Sequence, residues 1–305
     1  MTQSTNQWQV GKVKITRVVE FEVGGLPPDF MFADLTEDQV KSISWIHPNY
    51  ADPDGKLRSS IHSYVVESQG RRIIVDTCLG NDKQRSAKAV NLLHVPFLER
   101  LAEAGYSPET FDLVLCTHLH LDHVGWNTRW TGEKWVPTFP NARYLFGREE
   151  FQHWSSRPGA GDVPASIAPL MDFDAVMADS LRPIVDASLH QLVETNHRIT
   201  DELSLFPTPG HTPGHVSVAI DSDGYRAVIA GDVLHNPIQF ANPGICSIFD
   251  DDRSVAHATR TSFIHSNANQ DVLVLGSHFA TPSGGYVVQD GNSWRFMADA
   301  ANVKS

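Results

Sequence analysis

Short runs of alternating and of continuous hydrophobic positions predict a chain of β-strands separated by turns. Stretches at 61–68 and 71–77 alternate with a period of two and are joined by Gln-Gly, which predicts a hairpin. The continuous apolar run at 111–117 is typical of a strand that is buried on both faces. The remaining predicted strands cover 12–23, 203–208, 215–221, 225–231 and 271–277.

Helical spacing of hydrophobic positions predicts helices between these strands. Residues 96–104 begin at a proline and end before a glycine, as helices commonly do. A helix near 254–266 follows the acidic run Asp250–Asp252, which we expect to cap its first turn. The other helical segments are a short one near 36–44 and a longer one within 157–183. Strands and helices recur in alternation, so the sequence predicts a mixed α and β class.

The chain contains no Gly/Ser linker, charge repeat or internal repeat that would mark a domain boundary. Its 305 residues are enough to bury a sizeable core. We therefore predict a single domain covering 1–305. Residues 24–56 are rich in Pro, Gly and aromatic side chains, and we expect them to form a long loop excursion.

The overall charge of the chain limits the classes of partner that we expect it to bind. A formal net charge of -12 repels phosphate groups, and no run of Lys or Arg offers a local exception. Nucleic acid and membrane surfaces are therefore not expected partners. The opening residues lack a basic segment followed by an apolar one, and Cys78, Cys116 and Cys246 form no CxxC pair. We expect a cytoplasmic protein with free thiols.

Histidine is concentrated in THLHLDHVGW, residues 117–126, which contains His118, His120, Asp122 and His123. Burying three imidazoles and a carboxylate without a metal would leave polar groups that are costly to satisfy. Imidazole nitrogen and carboxylate oxygen are suitable ligands for zinc and related divalent ions. In extended backbone His118 and His120 face the same side, and the turn that follows presents Asp122 and His123. This HxHxDH cluster predicts a metal site that can serve two adjacent ions.

Three later strand ends each carry a histidine or an aspartate near a glycine. They are His211 in PGHTPGH, Asp232 in AGDV and His278 in GSHF. Glycine permits the tight backbone path that aims a ligand inward from a strand end. Taken alone, a histidine such as His278 is more often a hydrogen-bonded core residue than a ligand, and Asp232 is equally well explained as a turn or cap carboxylate. Together with the HxHxDH cluster, the three residues complete a set of seven potential ligands.

The chain resembles the metallo-β-lactamase superfamily, whose HxHxDH signature is present in full, followed by a His, an Asp and a His in the same order. The resemblance covers nearly the whole chain. It implies an α+β fold, the αββα sandwich of the metallo-β-lactamase fold. It also implies two metal ions that are bridged by Asp232, one held by His118, His120 and His211 and the other by Asp122, His123 and His278.

Two further residues match the superfamily at positions that support the ligands. Asp76 in RRIIVDT matches an aspartate that supports the metal loop without binding metal. His215 closes the GHTPGH motif, and we expect it to form structural hydrogen bonds.

At several positions the sequence departs from the pattern of individual branches of the superfamily, and these departures limit the reactions that the resemblance implies. His120 stands where flavin-partnered diiron reductases carry Glu, and Asp232 stands where secreted zinc β-lactamases carry Cys. Mononuclear iron dioxygenases usually lack the second-metal set that includes His123 and His278. What remains resembles the quorum-quenching lactonases and the methyl-parathion-hydrolase-like organophosphate hydrolases. His235 stands where the lactonases commonly have Tyr, which leans toward the second group.

We expect a metal-dependent hydrolase in which a metal-bridging hydroxide opens a lactone or cleaves a related ester. The expected cofactor is two Zn²⁺ ions, with Mn, Co and Fe as alternatives because the same ligands accept them. Asp122 is the expected proton acceptor, and His235 is the expected donor to the developing oxyanion. An organophosphate triesterase is the first alternative function. A mononuclear iron dioxygenase and a non-catalytic metal-binding protein are further alternatives.

Aromatic side chains in two places indicate where a small-molecule substrate binds. Phe30 and Phe32 lie in the 24–56 excursion, which we place near the active site, and Trp126 directly follows the HxHxDH cluster. An aromatic rim suits an apolar acyl or aryl group. Packing in the core or at a subunit interface is an equal alternative for these side chains. A homodimer is expected from the resemblance alone.

Overall fold

The structure is a computed structural model that describes residues 6–156 and 168–298. Its strands are β1 (Gln7–Val10), β2 (Val13–Leu26), β3 (Leu57–Ser68), β4 (Arg71–Val75), β5 (Leu113–Leu115), β6 (Thr128–Trp130), β7 (Trp135–Pro137), β8 (Arg143–Gly147), β9 (His190–Val193), β10 (Leu203–Pro207), β11 (Val216–Ser222), β12 (Tyr225–Ile229), β13 (Val272–Leu275), β14 (Gly284–Asp290) and β15 (Ser293–Ala298). Its α-helices are α1 (Glu37–Lys41), α2 (Phe97–Glu103), α3 (Leu121–Val124), α4 (Arg148–Ser156), α5 (Phe173–Val176), α6 (Arg182–Asp186), α7 (Ile238–Ala241) and α8 (Arg253–Asn267).

The chain divides into two compact units. The terminal unit contains Met1–Lys14, Phe21–Ser60 and Asn196–Ser305, and the middle unit contains Ile15–Glu20 and Ile61–Thr195. The HxHxDH cluster belongs to the middle unit, and the three later predicted ligands belong to the terminal unit.

Parallel strands organise the middle unit. β4, β5, β8 and β9 are hydrogen-bonded in that order and run parallel, while β3 pairs antiparallel with β4. β1 and β2 complete this seven-stranded sheet on the side of β3. The predicted hairpin between β3 and β4 is confirmed, with Gln69 and Gly70 in the turn at φ values of 50° and 78°. Positive φ at both central residues matches the right-handed twist of the flanking strands.

The direction of these strands determines where the HxHxDH cluster lies. The carboxyl ends of adjacent parallel strands meet at the same edge of a sheet. Asp76 directly follows β4, His118 comes shortly after β5, and Glu150 lies in the first turn of α4, which follows β8. The topology therefore gathers two carboxylates and the HxHxDH loop at one edge of the sheet.

The long helix predicted within 157–183 is interrupted in the structure. Residues 157–167 of that prediction lie outside the described residues. The chain then forms a short 3-10 turn, α5, a π-helical turn at Met177–Leu181, and α6. Buried Asp179 in the π-helical turn accepts two hydrogen bonds from Arg85, at 2.6 and 3.0 Å. This tertiary contact stabilises a wider turn, which hydrophobic spacing alone does not predict.

The terminal unit is built on a six-stranded sheet in which β10 to β15 follow sequence order. β11 is antiparallel to both β10 and β12, and β13 is parallel to β12. β10, β12 and β13 therefore run in the same direction and end at the same edge. His211, Asp232 and His278 each follow one of these ends. Its apolar core includes Phe240 and Phe279, whose ring centroids are 6.1 Å apart.

Most predicted helices agree with the structure, with one correction. The segments predicted near 36–44 and 96–104 contain α1 and α2, and α8 extends one residue beyond each end of the segment predicted near 254–266. The cap predicted from the acidic run before α8 is confirmed at Asp252, which accepts from the backbone N of Ser254 and of Val255. The capping role is wrong for Asp250, whose carboxylate contacts His211 instead. Helices and mixed sheets together confirm the predicted α+β class.

Within the described residues, none of the helices combines the length and the apolar character that a bilayer span requires.

Candidate metal centre

The HxHxDH side chains lie against one another at the carboxyl end of β5. His118 Nε2 is 3.1 Å from His120 Nδ1, and His123 Nε2 is 3.7 Å from Asp122 Oδ1. The ring centroids of His118 and His123 are 4.0 Å apart. His118 and His123 are buried, while His120 and Asp122 are partly accessible. The structure thus brings these four side chains together in the middle unit.

Asp76 hydrogen-bonds residues of the HxHxDH loop. Its carboxylate accepts from the backbone N and the hydroxyl of Thr117, at 2.8 and 2.9 Å, and contacts His123 Nδ1 at 2.9 Å. The Thr117 hydroxyl gives its hydrogen to Asp76, so at 3.1 Å from His118 Nδ1 it acts as the acceptor. His118 and His123 therefore both carry a proton on Nδ1 and present Nε2 as a lone pair. The Asp76 carboxylate thus hydrogen-bonds both the backbone of this loop and one of its imidazoles.

Glu150 hydrogen-bonds the HxHxDH loop from a second strand end, and sequence reasoning missed it. Its buried carboxylate accepts from the backbone N of Leu119 at 3.1 Å and from Trp154 Nε1 at 2.7 Å. The Trp154 ring also meets the His120 ring at a centroid distance of 5.5 Å. A lone Glu in the first turn of a helix is a weak signal, because acidic residues are favoured there in any helix.

In the terminal unit, three imidazoles surround the carboxylate of Asp232. Oδ2 of Asp232 lies 3.2 Å from His278 Nε2, 3.3 Å from His235 Nε2 and 3.4 Å from His211 Nε2. His211, Asp232 and His235 offer ligand atoms that all lie within 4.8 Å of one another. Burial lowers the pKa of His235, although the Asp232 carboxylate opposes that shift. A neutral imidazole is the form that binds metal.

Hydrogen bonds fix the ring orientation in this second group as well. His278 Nδ1 lies 3.1 Å from the carbonyl oxygen of Ser60, which can only accept. His215 Nε2 accepts from the backbone N of Asp232 at 2.8 Å, and its Nδ1 lies 2.8 Å from the Thr208 hydroxyl. His215 therefore anchors the Asp232 backbone instead of presenting a free ligand atom.

Asp250 is a further carboxylate at this group that sequence reasoning assigned to helix capping. Its Oδ1 lies 3.0 Å from His211 Nδ1, and its Oδ2 accepts from Arg260 at 3.2 Å. Burial alone would raise the pKa of Asp250. The hydrogen bond from His211 and the positive charge of Arg260 help to outweigh burial and hold that pKa below its usual range. An ionised Asp250 is thus available as a permanent acceptor for His211.

Trp126 packs inside the middle unit. Its Nε1 donates to Glu20 Oε1 at 2.7 Å, and its ring stacks on Phe97 with centroids 5.6 Å apart. The side chain is buried. Of the two alternatives given by the sequence, the structure shows core packing for Trp126, because the indole is held on both its polar edge and its face.

The aromatic residues of the 24–56 excursion lie in the terminal unit at different depths. Phe32 is fully buried and meets the His235 ring edge-on at a centroid distance of 6.3 Å. Phe30 is 46% exposed and meets Phe249, which directly precedes Asp250, at 6.5 Å. Phe249 was not among the residues singled out by sequence. The excursion therefore borders the terminal-unit imidazoles through Phe32 and carries the exposed Phe30, which packs against the partly buried Phe249.

Comparison with known proteins places this geometry in a family. The profile of the Metallo-beta-lactamase superfamily matches residues 58–284. Hydrolase AbOPH of the beta lactamase superfamily is 25% identical, with 98% of both chains aligned and a TM-score of 0.81. AidC, a dizinc quorum-quenching lactonase, is 19% identical, with 97% of both chains aligned and a TM-score of 0.79. The N-acyl homoserine lactonase of Bacillus cereus is 22% identical over 186 residues, which are 56% of this chain.

The matched stretch spans 62% of the Bacillus cereus enzyme, less than two thirds of its length. The likeness to AidC concerns the fold, and it confirms the predicted metallo-β-lactamase fold together with the match to AbOPH. The expected class of metal-dependent hydrolase is the class to which the lactonase relatives belong. The profile match covers most of the chain and includes every predicted ligand, from His118 to His278. This chain belongs to the metallo-β-lactamase superfamily.

Proposed function

We propose that this chain is a dinuclear-metal hydrolase that opens a lactone or cleaves a related ester. The observation that carries the proposal is the shared orientation of four imidazoles. Each has an oxygen atom within hydrogen-bonding distance of Nδ1, which directs Nε2 toward the ligand set. These imidazoles are His118, His123, His211 and His278. The full proposed ligand set adds His120, Asp122 and Asp232.

The donor atoms fit divalent ions of intermediate hardness. The proposed set has five imidazoles and two carboxylates, which suits Zn²⁺ and also accepts Mn, Co or Fe. Bound ions would lower the pKa of a water molecule and polarise the carbonyl or phosphoryl oxygen under attack. The Asp122 side chain is 25% exposed and is the proposed proton acceptor. His235, buried beside Asp232, is the proposed donor to the developing oxyanion.

A neutral lactone is the favoured substrate class. The Bacillus cereus relative is an N-acyl homoserine lactonase, and AidC is a quorum-quenching lactonase solved with its product. The exposed Phe30 packs edge-on against Phe249, and this pair offers an apolar surface next to Asp250, whose carboxylate contacts His211. An acyl chain is the group that such a surface suits.

An organophosphate triester is the second candidate substrate, and His235 is the observation that favours it. Lactonases commonly carry Tyr at this position. Here the imidazole lies 3.3 Å from Asp232, and its ring centroid is 4.9 Å from that of His211. A buried imidazole so placed can donate to a phosphoryl oxygen as well as to a carbonyl oxygen.

Metal analysis followed by a substrate panel tests the proposal. We expect about two zinc-like ions per chain, and hydrolysis of an acyl-homoserine lactone in preference to an aryl ester, an aryl phosphotriester or a β-lactam. His118→Ala should lose metal and activity, whereas the exposed His257→Ala should keep both. His235→Ala should lower turnover with its metal intact. Preference for the phosphotriester would select the second candidate, and one iron per chain with oxygen consumption would contradict both.

We further propose that the protein acts as one hydrolase domain, as a homodimer, in the cytoplasm. The resemblance to related enzymes supports the dimer, and the three free cysteines are compatible with a reducing compartment. Light scattering after size-exclusion chromatography measures the oligomeric state, with a mass near 34 kDa contradicting the dimer.

A further inference from the structure

Arg260 is a fully buried residue of α8 whose guanidinium connects several loops of the terminal unit. Its Nε donates to the carbonyl oxygen of Val233 at 2.9 Å. Its Nη1 donates to the carbonyl oxygens of Pro243 and Ile245, at 3.0 and 2.9 Å, and its Nη2 to Asp250 at 3.2 Å. A charged group is tolerated in the interior when its N–H groups are matched in this way.

Asp250 extends this network to His211. Its Oδ1 lies 3.0 Å from His211 Nδ1, and its Oδ2 accepts from the backbone N of Ser247 as well as from Arg260. A carboxylate is only an acceptor, so His211 carries its proton on Nδ1 and presents Nε2 as a lone pair. This tautomer is the one that metal binding through Nε2 requires.

The same guanidinium also holds the loop of Asp232. Val233, which accepts from Arg260, directly follows Asp232 in the single turn Gly231–Val233. Asp232 Oδ2 lies 3.4 Å from His211 Nε2. Arg260 therefore constrains both members of this pair, through Asp250 on one side and through the Val233 carbonyl on the other.

We propose that Arg260 and Asp250 are positioning residues that fix the tautomer of His211 and its placement beside Asp232 for metal binding. The inference rests on the proposed function, in which His211 and Asp232 are ligands. Partners that hydrogen-bond a metal-binding imidazole typically contribute roughly 10- to 100-fold to metal affinity. The effect is therefore expected on metal affinity.

Asp250→Asn tests the tautomer directly. In the wild type, Ser247 and Arg260 both donate to Oδ2 of Asp250. In the variant, the amide oxygen of Asn therefore faces these two donors, and the amide NH₂ faces His211 Nδ1. His211 then moves its proton to Nε2, the proposed ligand atom. Nitrogen-15 NMR of histidine side chains in chelator-treated full-length protein measures this, and His211→Gln identifies the signals. The same tautomer in wild type and Asp250→Asn would overturn the inference.

Arg260→Lys and Phe263→Leu separate positioning from a general loss of stability, because both change a buried side chain of α8. The lysine keeps the charge, but one ammonium cannot replace the planar fork that serves Val233 and Asp250 together. We expect zinc affinity, measured by competition with a chromophoric chelator, to fall roughly 10-fold or more in Arg260→Lys. Phe263→Leu should retain wild-type affinity. Equal affinity in Arg260→Lys and wild type, or equal weakening in both variants, contradicts the proposal.

The two measurements also distinguish failure of the inference from failure of the proposed function. A wild-type protein that binds none of Zn²⁺, Mn²⁺, Co²⁺ and Fe²⁺ refutes the dinuclear hydrolase, and the metal-free tautomers still decide the role of Asp250. A wild-type protein that binds zinc, with His211 unchanged in Asp250→Asn, refutes the positioning role alone.

Discussion

Glu20 is a buried carboxyl group that ties together the chain on either side of the HxHxDH cluster. It accepts from the backbone N of Leu79 and of Gly80, at 2.9 and 3.0 Å, and from Trp126 Nε1 at 2.7 Å. Burial raises the pKa of Glu20 to about 7, because the loss of hydration outweighs these three donors. The residue therefore titrates near neutral pH, far above an exposed glutamate.

This shift predicts a pH-dependent stability. A native pKa above the unfolded value stabilises the fold at low pH, and the contribution is lost as the pH rises from about 4.5 through about 7. Glu20→Gln removes the titration. We expect the free-energy difference between wild type and variant to fall by roughly 2–3 kcal/mol from about pH 5 to about pH 8. Urea unfolding of chelator-treated protein measures it, and a difference independent of pH would contradict the assignment.

At the level of elements, the sequence was sufficient to predict a strand or a helix wherever that element carried its own boundary signals. The Gln69-Gly70 turn, the capped start of α8 and the apolar run of β5 are examples. The π-helical turn depends on the distant side chain Arg85, so hydrophobic spacing did not predict it.

The residues of the candidate site also divide into those that the sequence predicts and those that it does not. Its proposed ligands cluster in motifs that the sequence displays, whereas Glu150, Asp250 and Arg260 are single residues distant from those motifs. Their roles arise only when separate strand ends and α8 come together. A lone acidic or basic residue has many equally ordinary explanations, such as a helix cap or an exposed face.

Gly125 lies directly after α3, and we expect this position to tolerate no side chain. A Cβ there would lie 1.8 Å from the carbonyl oxygen of Leu79, a backbone atom that cannot move aside freely. Gly125→Ala must therefore shift the turn that follows His123, at a cost of about 1–3 kcal/mol. Chemical denaturation and zinc binding should both show the loss. Gly244→Ala, whose Cβ would meet only an Asn242 side-chain oxygen at 3.2 Å, is the control, and equal effects would contradict the explanation.

At the scale of the whole molecule, the negative net charge of the chain favours binding of the proposed cations. The chain carries 36 acidic and 24 basic residues, so its formal charge is -12. Such a protein attracts divalent cations and repels polyanions. Two bound dications would offset four of these charges and would relieve part of the repulsion in the native state.

Metal removal should therefore destabilise the protein as a whole. Ions that bind only the native chain stabilise it by about 2.7 kcal/mol per site at a hundredfold excess over the dissociation constant. We expect a chelator to lower the thermal midpoint by on the order of 10 °C, and added Zn²⁺ to restore it. Mg²⁺ should restore little, because it prefers oxygen ligands. His211→Ala should show a smaller difference between chelated and zinc-loaded protein, whereas the exposed His257→Ala should match wild type. An identical midpoint with and without chelator in wild-type protein would show that the fold holds no ion.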